Sequence, residues 1–590
     1  MTRTVLLAAA LCAAAQAAAG QGLAQADTTA TDSTTRDSLP VLVVLPPVPV
    51  PQGPLPRGTR YSFTTDSIVF SATKTLADLL ERVPGVYVAR GGLYGQSEVV
   101  LYGGRGPAAL EVYWDGLPYL PVGRDSVYLD PARIPLAPLE RVDVILLPAT
   151  LRVYLVSCRQ SSTAATSEIG VSTGQADMRG YRAAFLKRWR SGLGLSVVAD
   201  WNDLSGIGGT TSTPFHSTDL WFQADYMRPN LGASLQIVSA DWHRTAVDTP
   251  LVAGRASKRV DEIARFFVGG RPDGRGTRLD LMLATASVTN DQLVGDRSVS
   301  QASLTLSNIG RHTSAALIAR YGLDQTPWQF EAQAAWNFLR PFTLAGDARH
   351  SEYSNDRKGD RAHLTLGITL PLGFYAHGDV VWTNEVGAPI LPTDTVQRTR
   401  DLEGGIRLEH RWVTIDVGAA RRDAYAPAEG ALPSLGAISG LSPTPSTNYF
   451  TIYGGLHLAP GLTVSGWYFD PVHNGGDFEP PRHGRYSLTF YSKFWRVYRS
   501  GIFALRAEAA VESWSAGGTA GFVRDSLSGA ITTFELAPAT FIDINAQIRI
   551  AGVTIFWETR NARAFRGGYV PGIEYPRNFQ YYGVRWRFTN

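Results

Sequence analysis

The regularity of its turns constrains this chain more than any other feature. From residue 166 to residue 589 the sequence divides into runs in which apolar and polar residues alternate. In 539–550, Ile542, Ile544, Ala546, Ile548 and Ile550 share one face, and Phe541, Asp543, Asn545, Gln547 and Arg549 share the other. Leu220, Phe222, Ala224 and Tyr226 oppose Asp219, Trp221, Gln223 and Asp225 in the same way. So do Leu364, Leu366, Ile368 and Leu370 against His363, Thr365, Gly367 and Thr369, and Val413, Ile415 and Val417 against Thr414, Asp416 and Gly418. A period of two is a strand pattern. About 22 such strands, each roughly 10 residues long, fit between 166 and 589. Every second connection is tight, as at 190–194, 227–232, 308–313, 339–343, 371–374, 409–412, 459–462 and 550–553. The intervening connections are longer, the largest near 203–216, 243–258, 384–397, 423–447, 513–538 and 561–578. Alternating short and long connections between strands of spanning length mark a transmembrane β-barrel with short periplasmic turns and long extracellular loops. A soluble sandwich would use strands of about 5–6 residues and cover the apolar face with a second sheet.

Composition agrees with export to a membrane. The chain has 590 residues, a net charge of +3, and 18% charged residues against the roughly 25% of soluble domains. The near-neutral charge offers no electrostatic case for a nucleic-acid partner. Residues 1–26 read as a secretory signal: Arg3, an apolar run over 5–19, and small-residue cleavage sites at 17–20 and 24–26, which put cleavage between 20 and 26. Cys158 alone follows that segment, so the exported chain has neither a disulfide nor a cysteine metal site. The ten histidines show no zinc spacing, and neither a metal nor a cofactor is expected. The G-x-S-x-G pattern at 170–174 lies along a strand with no helix after it, which removes the context a nucleophile elbow requires. The basic stretch 269–278 reads as a solvated periplasmic turn. No enzymatic constellation emerges.

A barrel of about 22 strands has a wide lumen that needs a plug, and the segment ahead of the strands divides in two. Residues 27–57 are rich in Pro, Ser and Thr and read as an extended, flexible linker. Within it Leu39, Pro40, Val41, Leu42, Val43, Val44 and Leu45 form a short β-prone stretch suited to docking a partner by strand addition; a piece of plain linker or an edge strand is the other reading, and Asp66–Ala72 is a second candidate for docking. Residues 58–160 read as a compact α/β plug, with 161–590 as the barrel. Leu76, Leu79, Leu80 and Val83 share one helical face, Pro84-Gly85 stops the helix, and Asp115-Gly116 marks a turn between strands. Asp115, Glu140 and Arg141 are expected to be structural ties, since a desolvated charge needs a partner. At the plug turns 89–96, 103–107 and 118–125, Arg90, Tyr94, Gln96, Arg105 and Tyr119 carry donors and aromatic faces suited to a ligand.

The order of several motifs resembles one family. The stretches 75–88 (TLADLLERVPGVYV), 98–104 (EVVLYGG), 111–119 (EVYWDGLPY) and 138–145 (PLERVDVI) resemble successive plug segments of the TonB-dependent outer-membrane receptors. Residues 168–185 resemble that family's first barrel hairpin; Asn561, Tyr569, Tyr575–Phe579 and Gly583-Val584 resemble its last. The chain departs from the pattern in having Tyr102 where an Arg usually precedes Gly103, with Arg105 following, and in having 146–160 in place of a Gly-rich segment. The resemblance implies a plug inside a 22-stranded barrel, 39–45 as a TonB box, and Tyr582, Val584, Trp586 and Phe588 as a signal to the barrel assembly machinery. It implies as partners the TonB–ExbB–ExbD complex, outer-membrane lipids and a nutrient ligand such as a metal chelate, cofactor or glycan, imported across the outer membrane. A passive porin, and an adhesin or assembly barrel that has lost transport, are the competing readings.

Overall fold

The computed structural model describes residues 41–46, 55–69, 73–90, 95, 98–122, 127–205, 215–244, 255–290, 297–322, 326–337, 341–428, 439–472, 475–494, 497, 502–525, 527–570 and 573–589. The signal segment, Leu39, Pro40, Tyr94 and Gln96 lie outside the described residues.

Twenty-two antiparallel strands close into one barrel. The ladder runs from Thr166–Gly174 around to Phe579–Thr589, and the last strand pairs back onto the first, with Thr589 opposite Thr166 and Val584 opposite Val171. Closure is what makes the sheet viable in lipid, where an unpaired backbone edge has no water to bond. The expected parity holds. Arg188 to Leu193, Ile309 to Thr313, Glu409 to Val413 and Ile550 to Val553 are tight crossings on one side. On the other side, Arg422 to Thr447, Trp514 to Ala539 and Arg560 to Phe579 are long, and the last two carry small hairpins of their own, Thr519–Arg524 with Ile531–Glu535 and Gly568–Val570 with Ile573–Glu574.

The alternation sorts side chains as the sequence predicts. Leu364, Leu366, Val417, Leu488, Ile548, Tyr582, Val584 and Trp586 are exposed on the outer wall, while Arg361, His363, Thr365 and Gln547 are buried toward the lumen. Trp221, on the inward face with Gln223 and Asp225, is buried against the plug.

The plug fills the lumen. Its sheet comprises β1 (Arg60–Thr64), β4 (Leu110–Trp114), β5 (Leu117–Pro118), β6 (Leu139–Leu147) and β7 (Thr150–Ser157), in the order β1-β6-β7-β4-β5. A separate hairpin joins β2 (Val86–Arg90) to β3 (Glu98–Tyr102). The segment 146–160, where the family pattern is broken, supplies β7, a central strand antiparallel to β6 and parallel to β4.

Helix α2 (Leu76–Leu80) is wholly buried. The Asp78 carboxylate accepts from the backbone N–H groups of Lys74 and Thr75 at 2.8 and 2.9 Å, satisfying donors that the helix start leaves open. Gly85 ends the unit at φ +76°, and a Cβ there would come within 3.2 Å of the Phe469 ring on the barrel wall. One expectation is corrected. Asp66–Ala72 is no docking strand, because Thr65–Val69 forms a short helix, α1, with the Thr65 hydroxyl donating to the Glu140 carbonyl; residues 70–72 lie outside the described set.

The outer face gives a direct test. Leu488→Arg, near the middle of the strand His483–Ser492, is expected to cost about 2–4 kcal/mol when the barrel is unfolded from lipid vesicles in denaturant. The same change at exposed Leu527, in an extracellular connection, should stay within about 0.5 kcal/mol.

Candidate functional site

Three features stand out as candidates: the covered top of the plug, a cavity along one side of it, and the N-terminal segment 41–46.

The top is covered by aromatic side chains. Tyr87, Ala89, Val99 and Leu101 of the β2–β3 hairpin form one core with Leu441, Phe478, Trp514, Phe541, Tyr569 and Tyr575 from the barrel and its long connections. The Tyr87 ring lies 5.3 Å from Trp514 and 6.3 Å from Phe478, within the range of favourable aromatic pairs. The Gly104 N–H donates to Glu479 at 2.6 Å, and the Tyr449 hydroxyl donates to the same carboxylate at 2.7 Å.

The side chains expected as ligand contacts are engaged by other groups of the protein. Arg90 is no free apical donor; its guanidinium lies 2.9, 2.8 and 3.1 Å from Asp78, Glu81 and Glu98. Arg105 pairs with Asp401 at 2.5 Å and lies over the Tyr425 ring. Tyr119 is buried under the Arg259 guanidinium, 3.6 Å from its ring centre. Each was expected as a loop-tip contact because its neighbours in sequence are turn residues. The carboxylates and rings that engage it lie up to several hundred residues away.

Buried charge ties the plug to the wall. Glu111 on β4 receives Arg349 at 2.9 Å and Arg361 at 3.1 Å from the barrel, and Arg152 at 3.0 Å from β7. Burial pushes the Glu111 carboxyl up, but these three guanidiniums outweigh it and hold it well below the usual carboxylate range. Arg152 continues the network to Asp347 at 3.1 Å and Glu331 at 3.5 Å. Asp115, in the left-handed region at φ 49°, accepts from the Ser157 N–H and hydroxyl inside the plug and from Gln236 on the wall at 2.8 Å. Glu140 pairs with Arg159, and Arg141 with Asp143, at the periplasmic side.

The cavity lies between the plug and the strands on both sides of the barrel seam, from Val553–Arg560 and Phe579–Thr589 through Thr166–Gly174 to Gly276–Asn290, with a volume of about 220 Å³. The plug contributes Lys74, Tyr119 and Arg133; the wall contributes Asp200, Asn202, Asp219 and Arg259. Asp200 stands directly opposite Asp219 across two strands, a juxtaposition that is unfavourable unless a donor or cation intervenes. The Asn202 side-chain oxygen is buried with no hydrogen-bond donor among the described residues. Sequence reasoning missed this wall. The signal was present: Asp200 and Asp219 lie on the polar faces of two successive strands.

Below the plug, the described part of the 39–45 stretch is already paired. The Val43 N–H donates to the Ser161 carbonyl at 2.8 Å, the Thr163 N–H to the Val41 carbonyl at 3.0 Å, and Leu42 bridges Ser162. Arg159 donates to the Pro46 carbonyl at 2.5 Å. Val41, Leu42 and Val44 nevertheless remain exposed.

A closed, lipid-facing barrel with a charge-tied plug in its lumen defines a plugged outer-membrane barrel. Residues 57–153 match the family profile of the TonB-dependent Receptor Plug Domain. Among solved structures, a mutant of the ferric enterobactin receptor of Pseudomonas aeruginosa in complex with enterobactin superposes with a TM-score of 0.66 at 12% identity, over 90% of this chain and 99% of that one. The siderophore receptor PirA of Acinetobacter baumannii gives 0.67 at 10% identity, over 90% and 100%. The FrpB iron transporter of Neisseria meningitidis gives 0.69 at 9%, over 90% and 99%. No curated protein sequence matches the chain. The chain has the plug-and-barrel fold of the TonB-dependent outer-membrane receptors.

The cluster around Arg90 makes the plug pH-sensitive. Burial pushes the Glu81 and Glu98 carboxyls up to about 7 from an ordinary value of 4.5, against the pull of Arg90. The folded plug therefore holds protons that the unfolded chain has released. Their stabilisation is full below pH 4.5 and is lost as the pH rises through about 7. Proteolysis of the plug in urea should accelerate across that window, and Glu98→Gln should remove about half of the dependence.

Proposed function

We propose that this protein binds a scarce extracellular nutrient and imports it into the periplasm, using energy delivered by the TonB–ExbB–ExbD complex. The observation that carries this reading is the combination at the periplasmic mouth: a short apolar segment held by a few backbone bonds and one arginine, joined through residues 47–54 to a plug that blocks the lumen. Such a segment can be taken up by a partner through strand addition. Its bonds to 161–163 are then exchanged for equivalent ones, so the transfer costs little. Force applied there reaches β1 first, which lies at the edge of the plug sheet.

The side cavity is the proposed substrate entry. Its mixed lining of aspartates, arginines, Asn202 and aromatic rings suits a polar ligand of modest size. The structural neighbours named for enterobactin, siderophores and iron make a ferric chelate the first substrate to test. Cobalamin-like cofactors and glycans are the next.

Capture of the full chain by the periplasmic part of TonB is expected to require residues 39–45. Arg159→Ala should raise capture on the order of ten-fold, since it removes a charged hydrogen bond of about 1.5–3 kcal/mol that competes with the partner. Capture indifferent to deletion of 39–45 would overturn the assignment. Growth and uptake of a deletion strain under separate iron, cobalamin and carbon limitation identifies the substrate class.

The aromatic cover over the β2–β3 hairpin favours a second reading, a barrel that keeps the fold without transport. Uptake unchanged under all three limitations supports that alternative. An open channel in planar bilayers with the intact chain would instead support a porin.

A further inference from the structure

The lipid-facing wall is not lined uniformly. On most strands its outward positions carry large apolar residues, such as Leu281, Leu304, Phe450, Leu488 and Ile548. Three neighbouring strands depart from this. Ala332 of Trp328–Trp336 stands directly opposite Ala348 of Phe342–Glu352, and Ala348 stands opposite Ala362 of Lys358–Thr369. One pair further toward the periplasm, Ala334 stands opposite Gly346. Side chains this short leave a trough between taller walls. Leu317, opposite Ala332, forms one side, and Trp382, opposite Ala362, forms the other. The trough encloses about 950 Å³.

Its extracellular end is charged. His350 and Asp360 pair with each other at 2.7 Å. Trp382 leads in register to Arg400, and Asn384 to Arg398, and both arginines line the trough. They are exposed on the outer wall, on the opposite face of their strand from buried Thr399 and Asp401. Asp423, which also borders the trough, accepts from the Arg400 backbone N–H. Among the described residues, neither guanidinium forms an ion pair, and that of Arg400 lies 6.0 Å from the Trp382 ring centre. Arginine on the lipid side of a barrel is costly near the midplane and tolerated only toward the interface. There, two unpaired guanidiniums above an apolar slot match a phosphate above an acyl chain.

We propose that this trough binds a phosphorylated acyl glycolipid of the outer leaflet, the lipid A part of lipopolysaccharide. One acyl chain lies over Ala332, Ala348 and Ala362, and a phosphate is held by Arg398 and Arg400. The choice of leaflet follows from the polarity of the strands, since the arginines stand at the end bearing the long connections. The site is separate from the lumen and does not depend on the transport reading.

The test uses the full exported chain, extracted from its own outer membrane in neutral detergent and weighed by native mass spectrometry. A lipid A-bearing adduct is expected on the wild type. Arg398→Gln with Arg400→Gln, and separately Ala348→Leu with Ala362→Leu, should each lower the retained fraction on the order of ten-fold. Leu488→Ala with Ile548→Ala, away from the trough, should leave it unchanged. Heat-modifiable gel migration confirms that every scored variant is a closed barrel. Delipidated wild type is then offered purified lipid A or phosphatidylglycerol, and preferential rebinding of lipid A is expected. Equal retention in both variant pairs, equal rebinding of phosphatidylglycerol, or cross-linking of two barrels through the trough would each overturn the proposal.

Discussion

A desolvated charge must be matched, and the union of plug and barrel rests on that requirement. Glu111 sits where one plug arginine and two wall arginines converge, and Arg152 returns the charge to two wall carboxylates. Neither half of this network is tolerable alone. A lumen lined with Arg349, Arg361, Glu331 and Asp347 needs either water or a partner, and a plug exposing Glu111 and Arg152 needs the same. Breaking such a network by removing one member leaves a buried charge uncompensated, a loss of about 3–5 kcal/mol. That the ties are polar also matters for movement. Water entering an opening lumen can replace a hydrogen bond to an arginine, whereas it cannot replace buried apolar contact.

The same logic divides the plug into two mechanical parts. The sheet β1-β6-β7-β4-β5 is held to the wall by Glu111, Arg152 and Asp115, while α2 and the β2–β3 hairpin are held through Asp78, which receives Arg560 from the barrel at 2.6 Å. The segment 41–46 pairs with 161–163, shortly after β7 of that sheet. The Arg90 group is the one that responds to protons near neutrality, since Glu81 and Glu98 belong to it.

What was legible in the sequence was whatever is dictated locally or periodically. Strand spacing, turn parity and the outward face follow from a solvent boundary that repeats every second residue, so Ile542 to Ile550 or Val413 to Val417 declare themselves. The helix stop at Pro84-Gly85 is equally local. The partners of the plug-loop side chains were not legible, because partner choice in a closed lumen is a matter of three-dimensional register. Arg90 meets Asp78 and Glu81 a few residues away, yet the cluster is completed by Arg560 from the end of the chain. Arg105 finds Asp401 across the barrel. Trp221 lies on the inward face, where the plug supplies an apolar surface for it. The alanine row Ala332, Ala348 and Ala362 was hidden for the same reason, since three unremarkable residues become a feature only when adjacent strands align them.

The pairing of the first barrel strand with the last has a consequence for how the protein is made. Until Phe579–Thr589 has been delivered, the wall is an open sheet with two bare edges, and Thr166–Gly174 has nothing to bond on one side. The plug is synthesised first but shares its apolar core with Val198, Trp221, Val238 and Ile263 of the wall, so it too is unfinished at that stage. Both the seam and the core that plug and wall share are therefore completed only once the last strand has arrived. Which two strands are neighbours thus fixes when the wall can close.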